Sequence, residues 1–300
     1  MTESVTGVRR KIASCRDLQA VVRTMKALSA SSIGQYERSV LALGEYAQTV
    51  ELGLRTCLTQ LGPLASRAAM SGADGPRSVG AIVFGSDQGL VGRFNEVVVE
   101  HAVQTLASWP GGARVWVVGE RAHARLLEAG LALEDCMAVP SSIQAVAPLA
   151  RQLLLQSEAS HERGELTELH LFYNRPGSGS GYAPVNLRLL PLDERWVRHL
   201  MEIPWPTKRL AQVLGDPLAN LRAFLHESLF LSVFRACAES LASENASRLA
   251  AMQRADQNID GLLEQLQVAF HRMRQSGIDE ELYDVVSGFE ALKGEVMSGA

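Results

Sequence analysis

The sequence predicts an α/β fold with a long helix at each end of the chain and a central domain of alternating strands and helices. Apolar residues recur every three or four positions from about 8 to 61 and again from about 218 to 292, as they do along one face of a helix. Between these stretches the pattern changes to short apolar runs bounded by Gly and Ser, which is typical of buried strands.

The N-terminal helix is predicted from a single apolar stripe that begins at Val8. Much of its spacing alternates between four and three residues, close to the repeat of about 3.5 residues in a coiled-coil seam. The stripe thins at SASSIG, residues 29–34, where small side chains follow one another. We expect Gly62 and Pro63 to end the helix, and we interpret SGADGPRS, residues 71–78, as a linker.

The middle of the chain alternates between strands and helices, which favours a mostly parallel sheet with an antiparallel last pair. The predicted strands are SVGAIVFGS (78–86), ARVWVVG (113–119) and two strands around a flexible loop within ELHLFYNRPGSGSGYAPVNLRLLPL (168–192). The predicted helices are NEVVVEHAVQTLASW (95–109), ERAHARLLEAG (120–130) and SIQAVAPLARQLLLQSEAS (142–160), the last interrupted near Pro148.

The C-terminal helix follows the Pro-rich EIPWP and is predicted from about Leu218 to Leu292. At about 1.5 Å per residue it would be roughly 110 Å long, more than the central domain alone can cover. We expect the N-terminal helix as its partner within the chain and other subunits along the remainder. Its stretch ENASRLAAMQRADQN, residues 244–258, has few large apolar side chains. Two interpretations stay open: close approach to another helix or a surrounding collar, or a solvated middle section.

Composition restricts the class of protein. The chain has 300 residues, of which 47% are hydrophobic, and its formal net charge of −4 gives no overall basic field for binding nucleic acid. The first residues have no apolar core of signal-peptide length, and no window reaches the roughly 18 apolar residues of a membrane span. We therefore expect a soluble protein, or one that reaches a membrane only through partner subunits.

The four cysteines lie far apart and form no CxxC pair. This spacing favours unpaired, buried thiols in a reducing cytoplasm over disulfides or a metal site. They are Cys15, Cys57, Cys136 and Cys237.

Several stretches resemble chemical sites and have simpler explanations. FGSDQGLVGRFN, residues 84–95, has GxxxGxxG spacing without the Lys and Ser/Thr of a phosphate loop, so we expect turn formation and helix capping by the glycines, Ser86 and Asp87. A triad of these two residues with His101 is disfavoured, because His101 lies several turns along the following helix. HERGELTELH, residues 161–170, is not an HExxH zinc helix. We therefore expect no catalytic residues, no cofactor and no metal site.

The two ends of the chain resemble a known family. LASENASRLAAMQRADQNIDGLLEQLQVAFHRMRQSGIDEELYDVVSG, residues 241–288, is similar almost position for position to the C-terminal signature of the gamma subunits of F-type ATP synthases. RRKIASCRDLQAVVRTMKALSAS, residues 9–31, resembles the N-terminal helix of that family. FGSDQGLVGRFN, with Arg93 where the family usually has Gly, and RLLPL also fit, so the resemblance covers nearly the whole chain.

The resemblance implies an architecture and a set of partners. The fold class becomes α/β, with the long N- and C-terminal helices (1–70 and 209–300) forming an antiparallel coiled coil and a central Rossmann-like α/β domain at 71–208. The C-terminal tip would enter a ring of alternating alpha and beta subunits, and the central domain would lie against the epsilon subunit and the membrane ring of c subunits. The chain would then be a non-catalytic rotor, peripheral on the cytoplasmic face of a bacterial inner membrane, that couples ion flow to ATP synthesis or hydrolysis.

The resemblance also assigns contact residues. Arg274 and Gln275 match a polar pair that meets a loop of a beta subunit, and a guanidinium suits this contact because it stays charged and offers several donors. The residues that match other beta-contact or coupling positions are Met25, Asp279, Glu281 and Asp284.

The chain departs from the family pattern at a few positions, such as Lys26, where an acidic residue is common, and Ser32, where Lys is usual. These departures allow a divergent, second F-type complex of a bacterium, and the transported ion, proton or sodium, stays open. Two other classes of function also stay open: a coiled-coil scaffold outside any ATPase, and an α/β enzyme with helical dimerisation arms.

Overall fold

The computed structural model describes residues 4–70, 78–109, 112–177, 181–191, 194–202, 205–209 and 211–298. All of the predicted linker except Ser78 lies outside these residues, as do the centre of the PGSGSG loop and part of EIPWP. The chain forms two compact units. One consists of residues 1–27 and 251–300, and the other of residues 28–250.

The two terminal helices are present and longer than predicted. Helix α1 spans Val5–Met70, and Gly62 interrupts its helical geometry with φ 74° and ψ −179°. The expected end at Gly62 is therefore a break, after which the helix resumes, because glycine tolerates the positive φ and Pro63 suits the first turn of the next segment. Helix α6 spans Pro217–Ser298. Asp216 caps it by accepting hydrogen bonds from the backbone N–H groups of its second and third residues.

The central domain is a five-stranded sheet in the order β3-β2-β1-β4-β5, parallel except for the antiparallel pair β4–β5. The strands are β1 Val79–Phe84, β2 Ala113–Val118, β3 Leu133–Met137, β4 Glu168–Pro176 and β5 Tyr182–Leu190. The helices between and after them are α2 Phe94–Ala107, α3 Glu120–Glu128, α4 Ile143–Glu162 and α5 Glu194–Glu202. This order confirms the Rossmann-like sheet and its antiparallel last pair.

Three local predictions differ from the structure. Helix α4 runs through Pro148 without a break, so the predicted interruption is wrong. The proline removes one backbone donor near the helix start, and the buried side chains of Leu149 and Leu153 hold the helix against the sheet. Strand β3 and helix α5 were not predicted. LEDCM carries charges on an edge strand, and ERWVRHLME is short, with Val197 and Leu200 as its buried apolar residues.

Both faces of the sheet are covered. One face packs against α2 and α3. The other packs against α4, Tyr36 of α1 and Val233, Cys237 and Leu241 of α6. A third cluster joins Leu54 of α1 to residues of α5 and α6. In the unit of residues 28–250, segments of both terminal helices therefore belong to the core of the central domain.

The terminal helices pack antiparallel within each unit. In the unit of residues 1–27 and 251–300, Val8 and Ile12 belong to the same apolar cluster as Leu263. In the other unit, the Tyr46 hydroxyl donates to Glu227. Residue numbers rise along α1 as those of their α6 partners fall, as the next section shows for the polar contacts. The expected antiparallel two-helix arrangement is confirmed.

The structure explains the small residues of α6 near the start of ENASRLAAMQRADQN. Glu244 and Ser247 are buried inside the unit of residues 28–250, together with the alanines and serines just before them. Further on, Arg254 and Asn258 are exposed. The first part therefore has a collar made by the chain itself, and the solvated interpretation holds only for the later part.

The cysteines are free thiols. Cys15, Cys57 and Cys237 are buried, as expected, whereas Cys136 on the edge strand β3 is half-buried. Burial raises the pKa of the Cys237 thiol, which packs in the sheet core.

Candidate functional site

The predicted contact residues of α6 lie on its C-terminal part, beyond its contacts with α1. Phe270 and Met273 still pack against the cluster that contains Val8 and Leu263. From residue 274 to residue 287 every side chain is exposed, Gly277 alone being half-buried. Arg274, Gln275, Asp279, Glu281 and Asp284 therefore all face solvent in the described part of this unit.

This exposed segment has two chemically different sides. Ile278, Leu282 and Val285 follow the i, i+4, i+7 spacing of one helical face, and all three are exposed. Asp279 and Asp284 lie outside that face, at about 100° per residue. Exposed apolar side chains at helical spacing usually mark an interaction surface. We call residues 274–287 the tip segment.

Met25 is half-buried on α1 and is not brought to the tip segment. Its neighbour Lys26 donates to Asp256 of α6 over 2.7 Å. Arg274 follows Asp256 by 18 residues of uninterrupted helix, which is about 27 Å at about 1.5 Å per residue. The predicted residues thus form two separate groups, one at the tip segment and one near Asp256.

The contacts around Asp256 were missed by the sequence analysis. Arg23 lies 3.4 Å from the same carboxylate, and Gln19 donates to Asp260 one turn later. The hydrogen bond from Lys26 lowers the pKa of Asp256. Lys26 had stood out only as a departure from the family pattern. Its i, i+3/i+4 spacing from Arg23 and Gln19 was the available signal.

The turn after β1 has the predicted capping role. The Asp87 carboxylate accepts from the backbone N–H of Glu120, the first residue of α3, at 3.0 Å and from that of Val139 at 2.8 Å. Ser86 and Asn95 exchange hydrogen bonds, because the Ser86 N–H donates to the Asn95 side-chain oxygen and the Asn95 amide donates to the Ser86 hydroxyl. These polar groups are therefore committed to holding loops and helix ends together.

The same turn lies at the topological switch point of the sheet, between β1 and β4, where proteins of this class often bind nucleotides. Here the chain fills the crevice itself. The Ser247 hydroxyl of α6 donates to the Val91 carbonyl, and the buried Asn174 amide donates to the Phe94 carbonyl at 2.8 Å. His101 packs edge-on against Phe172 rather than towards Ser86.

A buried carboxylate connects α6 with β4. Glu239 of α6 is 8% exposed and accepts from the Nε of Arg175 on β4 at 3.1 Å and from the Nε of Arg235 at 2.7 Å. Arg175 also donates to the Tyr173 hydroxyl. One turn further along α6, Arg248 donates to Glu244, and burial raises the pKa of the Glu244 carboxyl despite this contact. Buried ion pairs of this kind fix the geometry of the elements that they join.

Among the residues that the structure describes, no group of three or more metal-ligating side chains comes together. His161 instead contacts the Leu166 carbonyl through its Nδ1, at 2.7 Å. Within the described ranges no helix is both long and apolar enough to cross a membrane.

A family model described as ATP synthase matches residues 4–292 of the chain. The chain belongs to the ATP synthase gamma-chain family. Among the relatives, the gamma chain of Moorella thermoacetica is 27% identical over 296 residues, covering 95% of this chain and 98% of the relative. The gamma chain of Bdellovibrio bacteriovorus is 24% identical over 301 residues, covering 97% and 99%.

Solved structures show the same fold. A chain of the Euglena gracilis mitochondrial ATP synthase, from an OSCP/F1/c-ring structure, superposes with a TM-score of 0.63 at 17% identity and covers 96% of this chain and 94% of its own. A chain of the central stalk and c-ring of the Tetrahymena thermophila enzyme gives a TM-score of 0.56 at 20% identity, covering 78% and 99%. The gamma-chain fold therefore extends over both long helices and the central sheet.

Proposed function

We propose that this chain is the central-stalk (gamma) subunit of an F-type ATP synthase, which rotates within an alpha/beta hexamer and couples transmembrane ion flow to ATP synthesis or hydrolysis. The observation that carries the proposal is membership of the gamma-chain family over residues 4–292. The exposed tip segment supports it, because a helix end with several uncovered apolar residues suits insertion into a surrounding ring of subunits.

The tip segment suggests how rotation acts on the catalytic subunits. Its apolar face at Ile278, Leu282 and Val285 and its acidic side at Asp279 and Asp284 point in different directions. A turning helix of this kind presents different surfaces in succession to each of three beta subunits. Because a bound group shifts a conformational equilibrium only by its differential contacts, this asymmetry would favour a different conformation in each beta subunit.

We infer that the chain has no catalytic centre of its own. The polar groups at the sheet edge, where such a fold would hold a nucleotide, are used in capping and in loop contacts by Asp87, Ser86 and Asn174. Catalysis would then take place on the beta subunits.

We further propose that the central domain lies against the epsilon subunit and the c ring, and that these partners hold the chain at the cytoplasmic face of a bacterial inner membrane. The complex could be a housekeeping ATP synthase or a second F-type complex that transports protons or sodium ions. Purification of the complex tests the assignment, because we expect alpha, beta and epsilon subunits to elute together with this chain.

Arg274 and Gln275 are the proposed contact with a beta-subunit loop, and Met25, Asp279, Glu281 and Asp284 are proposed as further coupling positions. Replacing both Arg274 and Gln275 by Ala should reduce assembly or coupled ATP turnover about tenfold, since truncating an interface hot spot costs about 1–2 kcal/mol. Gln253→Ala with Arg254→Ala is the matched control, because the same residue types are exposed there on the same helix. Equal turnover of the two double variants and the wild type would refute this contact.

A further inference from the structure

A cavity of about 790 Å³ opens inside the unit of residues 28–250, among α1, α6, β4, β5 and α5. Its volume is typical of small-molecule sites, which measure about 300–1,000 Å³. The site residues proposed above do not line it. The contents of this cavity are therefore a question separate from rotation.

One side of the cavity is apolar and incompletely covered. Val40, Leu43 and Ala47 line it from α1, at the spacing of one helical face, and Leu187 and Leu229 line it from β5 and α6. All five side chains are half-buried rather than buried. A ligand with a hydrocarbon part would remove this remaining apolar surface from water, at about 25 cal/mol for each Å² buried.

The other side carries an excess of positive charge. The guanidinium groups of Arg175, Arg188 and Arg235 line the cavity. The carboxylates near them are Glu51 in the cavity wall and Glu239 behind Arg175 and Arg235. Three cationic groups thus face two anionic ones, and one negative charge from a ligand would balance them.

Arg235 is the residue best placed to hold that charge. Its Nε donates to Glu239, and only this nitrogen takes part in a hydrogen bond with residues that the structure describes. The side chain is 62% exposed, so its terminal nitrogens are accessible. Arg175, in contrast, already uses Nε and a terminal nitrogen for Glu239 and Tyr173. A planar guanidinium pairs well with a carboxylate, because two parallel N–H donors match its two oxygens.

We propose that this cavity binds an amphipathic anion, an aliphatic chain that ends in a single carboxylate. The carboxylate lies at Arg235, and the hydrocarbon chain covers Val40, Leu43 and Leu229. A purely apolar ligand leaves the charge of the arginines unbalanced, and a small anion without a tail leaves the apolar wall in water. Both parts of the ligand are therefore required.

The test uses the full chain and three probes: decanoate, decanol, which lacks the charge, and acetate, which lacks the tail. Isothermal titration should show that decanoate binds at least ten times more tightly than either of the other two. Equal binding of decanoate and decanol, or no binding of decanoate, would overturn the proposal.

Two variants locate the site. Arg235→Gln should weaken decanoate binding at least tenfold by removing the cation. Gly44→Phe should abolish it, because Gly44 lines the cavity and a side chain added there meets open space rather than protein. Gly34→Phe is the matched control, since a side chain at Gly34 also meets no neighbour and this residue does not line the cavity.

Decanoate affinity that is unchanged in Gly44→Phe, or lost equally in Gly34→Phe, would place any binding elsewhere and refute the site. Melting curves of each variant check that it is folded, and Gly44→Phe decides the matter even if Arg235→Gln is unstable. The result is independent of the rotor proposal, since ligand binding is measured on the chain alone and rotation in the assembled complex.

Discussion

The carboxylate of Glu239 gives a sharp test of how α6 is held in the central domain. Glu239→Gln keeps the shape of the side chain and removes its charge. The wild-type carboxylate accepts one hydrogen bond from each of two guanidinium groups, and a hydrogen bond to a charged group contributes about 1.5–3 kcal/mol. Arg175 and Arg235 are 47% and 62% exposed, so water replaces part of this loss, and the Gln oxygen retains one contact. We expect the free energy of unfolding to fall by about 2 kcal/mol.

Urea unfolding followed by tryptophan fluorescence measures this change, because all four tryptophans lie between residues 109 and 205, in the unit that contains Glu239. Glu264→Gln is the control, since Glu264 is exposed on the same helix, and its effect should be within about 0.5 kcal/mol. A double-mutant cycle with Arg175→Gln should give a coupling energy of about 1 kcal/mol. If Glu239→Gln behaves like Glu264→Gln, the carboxylate does not hold α6 to β4 and the reasoning is wrong.

Three further predictions concern stability. Leu54→Ala should cost about 3 kcal/mol in urea unfolding because Leu54 is 0% exposed, whereas Leu41→Ala should cost less than about 0.5 kcal/mol because Leu41 is 75% exposed; similar values for the two would contradict the packing. Gly85→Ala should lower stability by about 2 kcal/mol, because the added methyl group meets Ala122 of α3, and an unchanged melting temperature would show that α3 moves away freely. Hydrogen bonds from two arginines, the larger effect coming from Arg163, lower the pKa of Glu165 to about 2; its contribution is present above the ordinary pKa of 4.5 and is lost as the pH falls towards 2, so the melting-temperature difference between wild type and Glu165→Gln should disappear across that range, and a constant difference would refute it.

The elements that the sequence predicts well are those whose apolar pattern is long or sharply bounded. The stripe that begins at Val8 extends over many turns, and the run that contains β1 is bounded by Gly80 and Gly85 and fully buried. Strand β3 and helix α5 could not be predicted, because each has few buried residues and depends on neighbours distant in sequence. The continuity of α4 through Pro148 likewise depends on tertiary packing.

The candidate site was predictable only through resemblance. Arg274 and Gln275 have no feature in composition or spacing that separates them from other exposed helix residues, and their contact lies on another chain. The helix-to-helix contacts of Lys26 and Arg23 with Asp256 join residues about 230 positions apart, so no local pattern indicates them. The buried position of Glu239 depends on β4, more than 60 residues earlier.

Single-molecule rotation tests the central claim most directly. The alpha and beta subunits are assembled with and without this chain, and a bead is attached to its central domain while ATP is hydrolysed. We predict rotation in one direction with three pauses in each turn, one for each beta site, and an ATPase rate that depends on the presence of the chain. A bead that does not rotate on an active complex, or an ATPase rate that is the same with and without the chain, would contradict the rotor assignment.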